Sequence, residues 1–280
     1  MEGEATILAM IAGGELAVSI GDGEEATVVL DETPFYAEMG GQVGDTGKIV
    51  CGSAAFTVTD CRKSPTGHFV HTGRMQSGVL TKGDRVEAKV DRERRASIMR
   101  THSSCHLLQA ALQKVLGSHV HQAGSYVDEE ICRFDFSHFS AMSDEELKKT
   151  EQLVNEMILE ANPVTATEMP LEEAKKMGAM ALFGEKYGDT VRVVDMNKRS
   201  IEFCGGTHVD NTAKLGLFRI LKESSVAAGI RRIEATTGWG VLGYMDETAG
   251  LLATAAQTLK LSSPAELPEK TAQLAAELKA

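Results

Sequence analysis

Four metal-binding side chains, in two pairs about a hundred residues apart, constrain this chain more than any other feature in it. His102 and His106 stand in Arg100-Thr101-His102-Ser103-Ser104-Cys105-His106-Leu107-Leu108-Gln109-Ala110-Ala111-Leu112, and Cys204 and His208 flank Gly205-Gly206-Thr207. Three imidazoles and one thiolate suit tetrahedral zinc. The first pair reads as helical, and at i and i+4 both imidazoles leave one face. The second pair reads as a loop, because two adjacent glycines let the backbone turn tightly between the ligands. Each pair alone arises often by chance; the pairing and the Gly-Gly insert make a shared site the better reading. Ser103 fills the slot where an H-E-x-x-H metalloprotease carries its glutamate base, which argues against protease chemistry. Cys105 points about 100° around the helix from His106, toward core packing.

Composition narrows the class. The chain has 280 residues, 42% hydrophobic and 25% charged, ordinary for a water-soluble protein and long enough for two domains. No run has the length of a membrane span and no signal peptide opens the chain, so a cytoplasmic protein with no membrane partner is expected. Five cysteines, at 51, 61, 105, 132 and 204, form no tight framework, which argues against a disulfide scaffold. The net charge of -11 is unusual for a nucleic-acid binder. Arg92, Arg94, Arg95 and Arg100 before the histidines, with Arg231 and Arg232 near the end of the same domain, are the candidates for a local basic rim.

Short β-branched or apolar segments at 5–11, 16–20, 26–31, 56–60 and 85–90, separated by glycine turns, predict a small barrel. Asp91 caps a helix of about 25 residues that carries the histidines. A strand at 131–136 follows. Ser143-Asp144-Glu145-Glu146 is a capping box for a helix to about 161. Strands at 164–169, 191–195, 200–203, 216–223 and 230–236, with a short helix at 171–180, complete a mixed sheet. From Asp246 alanine and leucine dominate, and a last helix is expected to run to Ala280. The fold class is therefore α+β: a small N-terminal β-barrel (1–90), an α+β zinc-binding domain (91–245) and C-terminal helices (246–280).

The blocks around the four ligands resemble a known family. His102-x-x-x-His106 with Cys204-Gly205-Gly206-Thr207-His208 is similar to the editing domain of alanyl-tRNA synthetases and of free-standing alanyl-tRNA editing proteins. Thr33-Pro34-Phe35-Tyr36-Ala37-Glu38-Met39-Gly40-Gly41-Gln42-Val43-Gly44-Asp45-Thr46-Gly47 matches the family's glycine-rich signature. Gln122-Ala123-Gly124-Ser125, Arg133-Phe134-Asp135-Phe136 and Arg232-Ile233-Glu234-Ala235-Thr236-Thr237-Gly238 match later segments in the family's order, over roughly residues 25 to 245. Met39 departs from the pattern, where glycine or serine is commoner. The alanine-rich end resembles the start of the synthetases' helical C-terminal region, so a fragment of a longer polypeptide is expected.

The resemblance implies an aminoacyl-tRNA hydrolase belonging to an alanine–tRNA ligase. A pocket for alanine cannot exclude glycine by size and rejects serine only weakly, so a second, hydrolytic site is needed. It implies zinc on His102, His106, Cys204 and His208, Gln122 orienting substrate or water, and Gly205, Gly206 and Thr207 offering backbone N–H groups and a hydroxyl near the ester. It also implies tRNA(Ala) mischarged with serine or glycine as partner, together with the remaining domains of a synthetase; the last helix has no obvious partner within the chain, which leaves self-association through the C-terminal helices open. Zinc bound by all four residues would order the pocket, and an open position would let it act on water or substrate. Asp210 is a candidate to orient a ligand imidazole. The alternatives are a free-standing editing protein, the related editing domain of threonyl-tRNA synthetase, and a non-catalytic zinc-stabilised RNA-binding module.

Overall fold

The computed structural model describes residues 1–180 and 187–279. It begins with β1 (Glu2–Ala12), β2 (Glu15–Ala17), β3 (Ser19–Ile20), β4 (Glu25–Leu30), β5 (Gly47–Cys51), β6 (Ala54–Lys63), β7 (Phe69–Ser77), β8 (Leu80–Thr81) and β9 (Arg85–Val90). Six of them close in the order β1-β4-β7-β6-β5-β9, and β9 pairs back onto β1 from Glu2↔Lys89 to Thr6↔Arg85. Closure leaves only the short strand β2, paired on the end of β1, as an edge. Side chains alternate across each strand, so β4 buries Ala26, Val28 and Leu30. Ile7, Met10, Ile49, Phe56 and Met75 fill the interior with them.

Two barrel strands, β5 and β7, lie outside the sequence-predicted segments. In β7 the inward positions are His71, Gly73 and Met75, so the alternation is real but two of its three residues do not read as apolar. Gly73 is required there, because a methyl group would overlap the Thr57 carbonyl. Neutral His71 is held by the Val28 carbonyl at 3.0 Å and the Thr33 hydroxyl at 2.8 Å.

Residues 31–46 between β4 and β5 leave the barrel wall. They meet the next elements, α1 (Arg92–Leu116), β10 (Gln122–Val127), β11 (Cys132–Ser137) and α2 (Asp144–Leu159). Val127 N–H donates to the Gly41 carbonyl at 2.8 Å and Val43 N–H to the Val127 carbonyl at 3.0 Å, so the loop runs alongside the end of β10. Gly41, with φ +84°, has no room for a side chain against the Ser125 carbonyl. Asp45, 1% exposed, accepts a two-point ion pair from Arg95 of α1 and a hydrogen bond from Tyr36 N–H.

Asp91 caps α1 by accepting from Glu93 and Arg94 N–H, and the capping box of Ser143 and Glu146 starts α2. The chain continues through β12 (Thr165–Pro170), α3 (Leu171–Lys176), β13 (Thr190–Asp195), β14 (Ile201–Phe203), β15 (Phe218–Ala227) and β16 (Ile230–Thr237). Helices α1 and α2 share a core with the antiparallel sheet β10-β11-β16-β15, through Leu108, Leu112, Phe134, Phe136, Val154 and Ile233. Strands β12-β13-β14 form a separate small sheet. Helix α3 stops at Lys176 rather than 180, and Met180 instead bridges to Glu202.

The described chain divides into two compact units, Met1–Thr237 and Gly238–Ala280. The second consists of α4 (Trp239–Thr258), α5 (Leu267–Glu277) and the turn between them. Helix α4 starts earlier than the composition shift at Asp246 suggests, because Gly240 and Gly243 disguise its first turns. Ala280, the expected end of the last helix, lies outside the described residues. Among the described residues no helix is long and apolar enough to cross a membrane.

Candidate metal centre and pocket

The 100-residue gap between the two motifs closes in space. One ligand atom from each of His102, His106, Cys204 and His208 lies within 4.8 Å of the others. His102 and His106 come from consecutive turns of α1, and the Cys204–His208 loop follows β14 and folds over them. Gly206 is what allows this contact, since a methyl group there would overlap the His102 ring. Arg192 of β13 holds the loop from the other side, donating from Nη1 to the Cys204 carbonyl at 2.7 Å and the Gly206 carbonyl at 2.8 Å.

Two of the donor–donor distances are close to the edges of a tetrahedral zinc site. Cys204 Sγ lies 3.5 Å from His102 Nε2 and 3.3 Å from His208 Nε2. A zinc tetrahedron with Zn–S of about 2.3 Å and Zn–N of about 2.0–2.1 Å has S···N edges of about 3.6 Å. Each imidazole also has a partner behind it. His102 Nδ1 lies 2.7 Å from Gln42 Oε1, and His208 Nδ1 lies 3.1 Å from Ser103 Oγ. His106 Nδ1 lies 3.1 Å from Glu202 Oε2, within ion-pair range although off the line of a hydrogen bond. Backing of this kind orients ligand histidines and raises their basicity.

The electrostatics agree with a cation site. Burial works against a charged Cys204, but the His102 charge and hydrogen bonds from all three histidines outweigh it and hold the thiol well below its ordinary value. Burial, then repulsion from His102, pushes His208 down to about 3, so it is a neutral imidazole. Burial also disfavours a charged His106, yet Glu202 and the Cys204 thiolate raise it to about 10. A thiolate and a buried carboxylate are thus compensated by protons held on the imidazoles, which a dication would displace.

The cluster forms one wall of a cavity of about 370 Å³, lined also by Tyr36, Met39 and Gly40 of the barrel loop and by Gln122. Gln122 opens β10, half-buried, and donates from Nε2 to Ser125 Oγ at 3.1 Å. Gly205 and Gly206 line the same cavity. Thr207 N–H does not face open space: it donates to Gln42 Oε1 at 2.9 Å, and Gln42 Nε2 donates to the Thr207 hydroxyl at 3.0 Å. Asp210 pairs with exposed Lys214 at 2.7 Å, and Ser103 occupies the place behind His208 for which Asp210 was the candidate. Cys105 is buried, as core packing requires.

The basic rim is largely absent. Arg92 pairs with Glu2, Arg94 with Glu129, Arg95 with Asp45, Arg231 with Glu223 and Arg232 with Asp135. Arg95 joins the barrel loop to α1 instead of facing solvent. Sequence reasoning gave no role in the centre to Gln42, Ser103, Arg192 or Glu202. Gln42 stands in the glycine-rich block already quoted, which was the one available signal.

Comparison with known proteins agrees with this architecture. Residues 1–94 match the family of tRNA synthetases class II (A), and residues 191–234 match the threonyl and alanyl tRNA synthetase second additional domain. The chain is 49% identical over 279 residues to the alanine–tRNA ligase of Acetivibrio thermocellus, covering 100% of this chain and 32% of the relative. It is 51% identical over 260 residues to that of Pelotomaculum thermopropionicum (93% and 30%), and 48% over 276 residues to that of Bacillus subtilis (99% and 31%). The chain belongs to the alanyl-tRNA synthetase family, and it spans about a third of the length of the curated relatives it matches.

Proposed function

We propose that this chain is the editing part of an alanyl-tRNA synthetase, an aminoacyl-tRNA hydrolase that cleaves serine or glycine from mischarged tRNA(Ala). The observation that carries this is the convergence of His102, His106, Cys204 and His208 on one point, beside a cavity that the first three line together with Gln122. The donor set suits zinc, which when bound would order the pocket and could lend Lewis acidity at an open position. Water attacks the ester carbonyl, the bond from the acyl carbon to the ribose oxygen breaks, and that oxygen leaves with a proton. Gln122 is suited to orient the water or the serine hydroxyl, because an amide both donates and accepts. Gly205 and Gly206 let the substrate approach the loop closely, and Thr207 holds the loop's shape through Gln42.

The functional division follows the sequence: a barrel over 1–90, the editing domain over 91–245, and the start of a helical region from 246. The matched relatives are ligases. That supports a synthetase part over a free-standing editing protein, and the remaining synthetase domains are its expected partners. With most arginines already paired, they would supply most of the affinity for tRNA.

The test is incubation of the zinc-loaded chain with seryl-, glycyl- and alanyl-tRNA(Ala). Faster deacylation of the seryl and glycyl forms is expected. Equal rates on all three would overturn editing, and tRNA binding without deacylation would make the chain a zinc-stabilised RNA-binding module.

A further inference from the structure

One side chain from the barrel, Gln42, makes more contacts with the centre than any residue between the two ligand motifs. It is 0% exposed. Its Oε1 lies 2.7 Å from His102 Nδ1 and 2.9 Å from the Thr207 amide nitrogen. Its Nε2 lies 3.0 Å from Thr207 Oγ1. The backbone of Gln42 is itself fixed, through reciprocal hydrogen bonds with Met39 and a bridge to Val127 of β10.

These contacts determine a tautomer by elimination. A backbone N–H can only donate, so the amide atom facing Thr207 N is the oxygen and the side chain cannot be flipped. The same oxygen faces His102 Nδ1, and an amide oxygen can only accept. Nδ1 therefore carries the proton. When the ring gives up its second proton to an ion, His102 Nε2 is the bare nitrogen, and it is the one 3.5 Å from Cys204 Sγ. Both lone pairs of Oε1 are then used, one on the histidine helix and one on the Cys204–His208 loop.

We infer that Gln42 is the positioning residue of the centre: it locks His102 with Nε2 presented to the ion and pins the ligand loop to the helix at a fixed distance. This rests on the reading of the four residues as a metal site and not on the identity of the substrate. Loss of such a backing residue typically costs about 10–100-fold in metal affinity.

The experiment compares the whole chain with Gln42→Met and Gln42→Glu. Methionine matches the shape without a strong acceptor. Glutamate keeps an oxygen for His102 and Thr207 N–H, and the Thr207 hydroxyl can turn to donate to the second oxygen. Zinc affinity is read by chelator competition, the His102 tautomer by ring ¹⁵N shifts in the metal-free protein, and site geometry by the visible spectrum of the cobalt-substituted protein. We expect Gln42→Met to bind zinc about 10–100-fold more weakly, to mix the His102 tautomers and to broaden the cobalt bands, and Gln42→Glu to restore all three. Wild-type affinity with an unmixed tautomer in Gln42→Met would overturn the inference. So would a Gln42→Glu variant that folds but fails to restore the tautomer, which keeps the test decisive if Gln42→Met does not fold. A wild-type chain that binds zinc but deacylates no tRNA would defeat the editing reading and leave this one standing. A chain that binds no zinc would defeat the metal reading, with the tautomer still testing what Gln42 does.

Discussion

The barrel and the helix α1 bury side chains for opposite reasons. The barrel interior is mostly aliphatic and aromatic, with Ile7, Val28, Ile49 and Phe56 on alternating positions, and apart from His71 its burial follows from hydrophobicity. Helix α1 buries Thr101, His102, Ser103, Ser104, His106 and Gln109 along with its leucines. Buried polar groups cost free energy unless they are bonded, and these mostly are: Ser104 to the Thr101 carbonyl, Gln109 to the Val120 carbonyl and Ser103 to the loop. The barrel is therefore expected to tolerate removal of metal, whereas α1 depends on its partners being present.

The largest effect expected from this contrast is at the ligands. Cys204→Ala, or His102→Ala with His106→Ala, should abolish stoichiometric zinc and deacylation together. Chelation of the wild type should deprotect α1 and the 204–208 loop in hydrogen exchange while β4, β6 and β7 stay protected. Loss of barrel protection at the same chelator concentration would break the contrast.

The converse change comes next. Phe56 is 0% exposed in the barrel, and Phe56→Ala should cost about 3–5 kcal/mol in denaturant unfolding. Because the defect is a cavity and not a lost ligand, the loss should be equal with and without zinc. A smaller effect is expected at Gln122. Gln122→Ala should slow deacylation by one to two orders of magnitude, about 1.4–2.7 kcal/mol, with zinc content and melting temperature unchanged. Parallel loss of zinc would show that its bond to Ser125 is structural.

The smallest effect is a pH dependence confined to the barrel. Burial lowers the pKa of His71, with its bond to the Val28 carbonyl opposing only in part. The unfolded chain then binds more protons than the folded one as pH falls below about 6.5. Stability from His71 is fully present above that pH and is lost as pH falls toward the folded value, with a slope of at most about 1.4 kcal/mol per pH unit. His71→Asn should lack this component in unfolding curves between pH 7 and 5; an identical slope in both proteins would assign the dependence elsewhere.

How much of this was legible in the sequence follows the same contrast. The aliphatic strands, the capped helices and the α+β class show in local pattern, because period and end signals are short-range. Strands β5, β7 and β10 do not. His71 and Gly73 sit where apolar residues would mark β7, and Gln122-Ala123-Gly124-Ser125 carries no alternation. The four ligands stand out by chemistry and spacing. Their backing residues cannot, since Gln42 and Thr207 are 165 positions apart and Ser103 and His208 are 105 apart. The arginines show the reverse error: a charge is visible in the sequence, but the carboxylate that neutralises it is not.

The separation of Gln42 from Thr207 also sets an order of events during synthesis. At about 5–20 residues per second, the ribosome needs roughly 8–30 s to deliver Thr207 after Gln42. The barrel can close in that interval, since its last strand is complete at Val90. His102 and His106 then emerge with their amide partner already waiting but without the thiolate, a half-built site with one helix to hold a metal. If the four residues hold zinc as proposed, the nascent chain would become competent to bind it tightly only after the 204–208 loop has left the exit tunnel.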